Sequence, residues 1–580
     1  MPGLVLALLA ALLGAGCAAS KPADSRDDAP RCRCVPDQPC WPGEAEWERL
    51  RSKLTGTLER PVAPPAGLKN PFEIQELSGG TQSIGWLDAW QAAPSVHAVA
   101  AKTAGDVAAA VDFAREHDLR LVIKGTGHDY LGRSSAPDSL LVWTHAMRDI
   151  TMHDAFVARG CAGTSATPAV SVGAGTRWLE AYQEVTGKHG RYVQGGGCTS
   201  VGAAGGFIQG GGFGSWSKKY GTGAANVLEA EVVTAGGEIL VANACQNQDL
   251  FWALRGGGGG TYGVVTRMTM RTHALPNYFG LILGGIEARS DAAFVELIER
   301  FLAFYAEKLN NEHWGEQISV KGNNSIELTV AFQGMSAAEA EKVWQPLRAW
   351  VDQRPDRYAM KARFFEIPGK QMWNRKFILE HLPQAIVPDA RPDQPGSLFW
   401  WASNEDELAT FWNAYQSRWI PIELFQPARV EAFASSIFEA SRHWSVDLHF
   451  NKGQAGASAD AVGRLRETSM NPAVLRAAAL VIMADNGGRP GNEGERAEAE
   501  AERARVSAAM KILRAATPGA GTYVNEADYF EPGWQREFWG ENYEKLAAIK
   551  RKYDPEGLFY CHHCVGSESW SKGGMCRAAR

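Results

Sequence analysis

The 580-residue sequence predicts an α+β chain that divides into two or more domains, because a single hydrophobic core stops growing well below this length. Three observations carry the prediction. Residues 97–144 read as β-α-β, with a glycine loop leaving the end of the second strand. Glycines then crowd the interval between residues 195 and 263, where a large ligand would need close approach to backbone. From residue 277 to about 515 the helices lengthen, the glycines thin out, and strands and helices segregate as in an antiparallel sheet covered by helices.

Taken in order, residues 4–16 form an apolar run too short to span a bilayer comfortably, closed by Gly14-Ala15-Gly16, and read as a secretory signal. Cys17 directly after it resembles a bacterial lipoprotein cleavage site, with plain secretion as the alternative. Residues 18–30 have the polar, proline-containing composition of a tether. Val99 belongs to a first short strand, Asp106 begins a helix with Val107, Val111 and Ala114 at helical spacing, Leu119 to Ile123 form the next strand, and residues 139–144 resume one. Ala169 to Gly173 read as a strand and Arg177 to Val185 as a helix. Asn226 to Val233 pass through Ala235-Gly236-Gly237 into Glu238 to Val241, a hairpin signal. A short helix from Asp249 to Leu254 and a strand from Val264 to Met270 follow. Beyond residue 276, helices are expected over Asp291–Leu309, Ser336–Val351, Glu405–Trp419, Pro427–Arg442 and Glu493–Arg514, the last a solvated one. Ile318–Val320 and Ile326–Phe332 flank Gly322-Asn323-Asn324 as a hairpin, and Val446 to Gly453 alternates like a strand.

The stretch Lys124-Gly125-Thr126-Gly127-His128-Asp129-Tyr130-Leu131-Gly132-Arg133-Ser134-Ser135 follows the buried run Leu121-Val122-Ile123. Successive backbone N–H groups in such a loop face one concavity and bind an anion, so it reads as a phosphate cradle with His128 on its rim. A nicotinamide-type fingerprint would run straight into a helix and place an acidic residue about 20 positions on; neither is present. A second glycine stretch, Gly195-Gly196-Gly197-Cys198-Thr199-Ser200-Val201-Gly202, leads to Gly205-Gly206-Phe207-Ile208-Gln209-Gly210-Gly211-Gly212-Phe213-Gly214. Cys198 lies between Gly197 and Thr199, poor material for the apolar core where most free cysteines sit.

These stretches, with Asp249 to Val265, Trp539-Gly540-Glu541-Asn542-Tyr543 and Lys552-Tyr553-Asp554-Pro555, resemble the berberine bridge enzyme-like family of the vanillyl-alcohol oxidase superfamily. The resemblance implies a two-part FAD-binding domain of the PCMH type plus an antiparallel-sheet substrate domain covered by helices. It implies FAD joined covalently to His128 through the 8α-methyl and to Cys198 through C6. By the same resemblance Lys124, Gly125, Thr126, Gly127, Asp129 and Ser134 belong to the first cofactor loop, and Gly202, Gly206, Ile208 and Gly212 to the second. Gly263, Val265, Asn525 and Asn542 complete the cofactor-binding set, and Ile208 falls where oxygen approaches the flavin, a bulkier side chain there going with slow reaction with O₂. Tyr523-Val524-Asn525-Glu526-Ala527-Asp528 is similar to the family's Y-x-N-Y-x-D, with Glu526 where a catalytic tyrosine is common. That departure, with the N-K-G and V-N-E segments, brings the chain closer to an isoamyl alcohol oxidase-like branch. Candidate catalytic residues are therefore Glu526, His449, Tyr523 and Asn451, with Glu526 or His449 as the base that takes a hydroxyl proton.

The implied activity is oxidation of a small-molecule alcohol or a carbohydrate hydroxyl, with O₂ or another acceptor taking the electrons; a binding protein that keeps the fold without turnover is the rival. Domain boundaries are expected at 1–17 for the signal, 18–90 for the tether and a cysteine-containing segment, 91–275 for the FAD domain, 276–515 for the substrate domain, and 516–580 for a segment returning to the FAD domain. A formal net charge of −6 gives no basic footprint for nucleic acid. The ten cysteines, less Cys17 and Cys198, leave eight, enough for four disulfides in an exported chain. Cys561-His562-His563-Cys564 invites a metal reading, but four adjacent residues rarely converge on one tetrahedral centre, and disulfides are the expectation there. Export completes the expectation, the protein being secreted, periplasmic or anchored at the cell envelope through a lipid on Cys17.

Overall fold

A computed structural model describes residues 31–577, so the signal, Cys17 and the tether of residues 18–30 lie outside the described residues. Three main sheets organise the chain. The β-α-β reading at 97–144 holds: strands His97–Ala100, Ser139–Trp143 and Arg120–Lys124 lie side by side and parallel, with Thr57–Glu59 added antiparallel at one edge. Helix Ala104–Glu116 crosses between them, capped by the Thr103 hydroxyl accepting from the Asp106 backbone. Its buried Val107, Ala110, Val111 and Ala114 face the sheet at helical spacing.

The second sheet is six-stranded, antiparallel, and built around the long strand Val264–Ala274, which pairs with Val227–Val233, Thr167–Gly173 and Arg191–Val193. Val227–Val233 also pairs with Ile239–Asn243, the expected hairpin. The third sheet has nine strands, antiparallel except where Ser83–Trp86 runs parallel to Thr410–Pro421. Helices Asp291–Phe304, Ala337–Asp352, Val430–Ser441 and Glu493–Ala516 cover it, burying Leu297, Trp344, Ile437 and Met510 against Ile282, Val330, Leu448 and Val481. The last of these helices shows its charges outward as expected, yet still buries Ala499, Val506, Ala509, Met510 and Leu513 along one stripe.

Two expectations fail. Residues 405–419 are not a helix: a 3₁₀ turn over Ala402–Glu407 leads into strand Thr410–Pro421, which pairs along its length with Ala477–Gly487. Phe411, Trp412, Ala414, Tyr415, Trp419 and Ile420 are all buried, and a strand covered on both faces shows no alternation to distinguish it from a buried helix. The strand at Val446 stops at His449, and Phe450–Lys452 is a 3₁₀ turn, so Asn451 does not share a strand with His449.

The C-terminal helices Trp534–Trp539 and Tyr543–Tyr553 bring the chain back to the first half, where Phe559 bridges Leu121 in parallel. Four disulfides join Cys32 to Cys576, Cys34 to Cys40, Cys161 to Cys245 and Cys561 to Cys564. Cys198 is the free cysteine among the described residues.

Candidate active site

The two glycine stretches meet. His128 leaves the end of strand Arg120–Lys124, and its Nε2 lies 3.0 Å from the Ser200 hydroxyl and 2.9 Å from Gln75 Nε2. Gln75 also donates to the Ser200 carbonyl at 2.7 Å, so one side chain ties the histidine to the turn after Cys198. Thr126 Oγ1 accepts from Gly202 N at 3.0 Å, a second clasp between the loops. Gly127 needs its positive φ of 79° for the bend. Burial holds the His128 imidazole neutral, its pKa pushed down to about 3. Burial also drives the Cys198 thiol well above its ordinary range, with Glu407 adding to the rise.

The remaining loop residues are mostly architectural. The ammonium of Lys124 donates to the backbone carbonyls of Leu77, Ser78 and Gly80 at 3.2, 2.5 and 2.9 Å, pinning a neighbouring turn. Asp129 accepts from Arg133 N at 2.6 Å, and the Arg133 guanidinium donates onward to the carbonyls of His562 and Val524. Gly125 packs against Ala174, and Ser134 is half-buried beside this turn. A Cβ at Gly263 would come within 2.6 Å of the Val233 carbonyl, and Val265 pairs with Val232 in the sheet. Asn542 donates to the Met470 carbonyl at 2.8 Å.

The second glycine run is held from the far end of the chain. The Tyr523 hydroxyl accepts from Gly212 N at 3.0 Å and from Asn525 Nδ2 at 2.9 Å, and Asn525 also donates to the Gly206 carbonyl at 3.0 Å. Ile208 is fully buried. A Cβ on Gly197, Gly205 or Gly206 would meet no protein atom within 4 Å, whereas one on Gly214 would lie 1.9 Å from the Gly195 carbonyl. The glycines therefore serve two purposes, close chain crossing at some positions and open backbone at others. Thr199 Oγ1, Thr261 Oγ1 and Asn451 Oδ1 are buried without a protein partner among the described residues, which suits contact with a polar ligand.

Opposite these loops stands a wall of ionisable side chains. Lys452 pairs with Glu526 at 2.5 Å, so Glu526 does not stand alone. The His449 imidazole makes no hydrogen bond among the described residues; burial and the Lys452 charge press its pKa well down. Glu407 accepts from the Tyr130 hydroxyl at 3.3 Å, and burial raises its pKa from the ordinary carboxylate value. Glu316 is raised likewise by burial, and sits at a φ of 62° in strand Trp314–Lys321. Trp401 donates its indole N–H to the Gly197 carbonyl at 2.9 Å and meets Trp373 edge to face, while Trp400 and Trp412 are core residues. Sequence reasoning missed Gln75, Lys452, Glu407 and Glu316. Lys452 lay inside a quoted stretch, but the others had no local pattern to mark them.

The two loops, with His128 tied to the turn that follows the free Cys198, form a glycine-lined site of a size and kind that suits a large polar cofactor. A family model described as an FAD binding domain matches residues 96–243, and one described as berberine and berberine like matches residues 522–566. An uncharacterized FAD-linked oxidoreductase of Arthroderma benhamiae is 30% identical over 602 residues, covering 95% of this chain and 96% of that protein. The FAD-linked oxidoreductase easE of Trichophyton verrucosum is 34% identical, covering 93% and 91%. Among solved structures, the VAO-type flavoprotein MtVAO615 of Myceliophthora thermophila superposes with a TM-score of 0.74 at 28% identity, over 94% of this chain and 100% of that one. The glucooligosaccharide oxidase of Acremonium strictum, whose FAD is 6-S-cysteinyl and 8α-N1-histidyl, shares the fold at a TM-score of 0.63 and 20% identity, over 85% and 95%. The chain belongs to the berberine bridge enzyme-like, VAO-type family of FAD-linked oxidoreductases.

Proposed function

We propose that this oxidoreductase carries FAD on two covalent bonds, from His128 to the 8α-methyl and from Cys198 to C6, and oxidises an alcohol or sugar hydroxyl. One observation carries the reading. Cys198 stays free while the eight other described cysteines are paired, and its turn is tied to His128 through Ser200 and Gln75. The 8α-methyl and C6 belong to the same benzenoid ring of the flavin, so two tethers to it must come from neighbouring segments, and the tie between His128 and the turn after Cys198 supports that. FAD supplies the hydride acceptor and the protein supplies placement and electrostatics.

The chain's own residues then divide the work. The neutral His128 presents an imidazole nitrogen able to act as a nucleophile. Trp373 and Trp401, partly exposed beside the Cys198 turn, offer faces for a carbohydrate or aromatic substrate. The hydroxyl proton goes to a side chain of the facing wall, where Glu526, His449 and Glu407 stand, and Ile208 beside the flavin restricts the approach of O₂, leaving room for another electron acceptor. The four disulfides support export, whether the protein is secreted, periplasmic or lipid-anchored through Cys17.

The test is acid precipitation of the purified protein followed by peptide mapping. Flavin is expected on one peptide containing His128 and one containing Cys198, and pigment left in the supernatant would reject the double tether. Anaerobic mixing with a panel of alcohols and oligosaccharides is expected to bleach the flavin; a panel with no effect would favour a binding protein that retains the fold. Bleached protein that stays colourless for minutes after air is admitted would point to an acceptor other than O₂.

A further inference from the structure

We propose that the substrate's hydroxyl proton passes through the Tyr130 phenol to Glu407, and that the Lys452–Glu526 pair holds the substrate rather than taking its proton. This rests on the alcohol-oxidising reading above and assigns that site's proton path.

The geometry is specific. Tyr130 stands two positions after His128 on the same loop, so its phenol is carried by the segment proposed to hold the flavin. Its ring is fixed between Trp412 and Tyr415, at centroid distances of 4.8 and 5.0 Å, and Trp90 donates to its carbonyl at 3.1 Å. The hydroxyl points at Glu407 Oε2, 3.3 Å away, and Gln82 Nε2 approaches the same oxygen at 3.4 Å. Gln82 is itself built into the loop, its backbone N–H donating to the Gly127 carbonyl at 3.1 Å. The segment bearing Glu407 is anchored over the Cys198 turn by Trp401, whose indole donates to Gly197.

Glu526 and Glu407 differ in their partners. Glu526 faces the Lys452 ammonium at 2.5 Å in an ion pair. No lysine or arginine pairs with Glu407 among the described residues; its hydrogen-bond partners are a phenol and an amide. The charged and titratable groups around it are Tyr130, Glu526, Lys452 and Asp406, with Tyr415 and Cys198 close enough to sense it. Burial raises its pKa first, Glu526 adds to the rise, and the Tyr130 hydrogen bond and Lys452 oppose it. A carboxylate moved up from the ordinary range is a better proton acceptor near neutral pH.

The step balances as follows. The substrate O–H bond breaks and its proton goes to the Tyr130 oxygen as the Tyr130 proton moves to Glu407. The C–H bond breaks with its electron pair, which leaves as hydride to FAD, and the C–O bond becomes a carbonyl. The substrate is oxidised, FAD is reduced, and Glu407 ends as a neutral acid. In this scheme Tyr130 is catalytic and Glu407 is a positioning residue that acts through it.

The experiment is anaerobic flavin reduction in the holoprotein from pH 5 to 9 with the same alcohol panel, for the wild type, Glu407→Gln, Glu407→Asp, Tyr130→Phe and Glu526→Gln. Infrared titration of the protonated-carboxyl band accompanies it. Glu407→Gln is expected to slow reduction about 10²-fold and to abolish the acid limb of the rate profile, with flavin still covalently retained. The carboxyl band that titrates with that limb is expected to vanish in the same variant. Glu407→Asp restores a limb at reduced rate, which covers the case in which the glutamine variant fails to fold. Tyr130→Phe slows reduction comparably, whereas Glu526→Gln raises KM and keeps the limb. A rate in Glu407→Gln within about 3-fold of wild type, or an unchanged limb, would overturn the proposal. Wild-type flavin that no member of the panel reduces would instead overturn the alcohol-oxidising reading, and the proton path with it.

Discussion

The two faces of the candidate site are built from opposite materials. On the loop face, from Lys124 to Ser135 and from Gly195 to Gly214, backbone does most of the shaping: glycines pass within contact of one another, and His128, Tyr130 and Cys198 are the side chains proposed to carry chemistry. On the facing wall, long side chains from separate segments converge, with Glu407 at the end of a 3₁₀ turn, His449 at a strand end, Lys452 in the next turn and Glu526 in a loop. Backbone cannot be exchanged without loss of the fold, and side chains can. A large cofactor of fixed shape suits the first kind of surface, and a variable substrate suits the second.

The sharpest way to break this contrast lies in the glycines. Gly214→Ala, whose Cβ would lie 1.9 Å from the Gly195 carbonyl, is expected to abolish soluble holoprotein, measured as the flavin-to-protein absorbance ratio after purification. Gly206→Ala, whose Cβ meets no protein atom within 4 Å, is expected to fold but to incorporate less flavin. Equal flavin content in both variants would erase the distinction between crossing glycines and open ones.

Next in size is the His128→Ala, Cys198→Ser double variant, expected to release all its flavin on acid precipitation, while each single variant keeps the pigment on the remaining tether. On the opposite wall, Lys452→Met is expected to raise the substrate concentration for half-maximal flavin reduction by about 10-fold without releasing flavin, since it leaves Glu526 without its cationic partner. A core change far from both faces makes the control: Leu297→Ala, in the helix layer over the nine-stranded sheet, should cost about 2–5 kcal/mol of stability by denaturant titration and leave flavin attachment intact.

The smallest effect concerns Lys124. Its folded-state pKa is lowered to about 7 by burial, against an ordinary value of 10.5, so between those pH values the unfolded chain binds the extra proton and wild-type stability rises with pH. Lys124→Met is expected to show a shallower rise in Tm from pH 7 to 9. An identical slope would mean that the lysine keeps its proton against the three carbonyls it faces.

Much of the loop face was legible before any coordinates. The strand Arg120–Lys124, the helix Ala104–Glu116 and the hairpin at 227–243 follow from local periodicity and turn residues, and the glycine stretches announce themselves by composition. The wall was much less so. The 405–419 segment read as a helix because buried aromatics on both faces of a strand mimic helical spacing, and that error hid Glu407. Glu316 sits in a strand with a left-handed φ that nothing in its neighbours signals, and Gln75 lies 53 positions from the histidine it touches. Lys124 stood in the cofactor motif, yet its ammonium serves the carbonyls of a neighbouring turn.

By itself the sequence determined the anion-binding loop and the α+β character, because glycine-permitted backbone and strand or helix periodicity are local properties written in short stretches; its family resemblance added the class of cofactor and the two residues proposed to bind it. Only the tertiary structure decided which carboxylate has a cationic partner and which has a phenol. Pairing depends on side chains from distant segments coming within a few ångströms, and burial, which sets their proton affinities, exists only once the chain has folded.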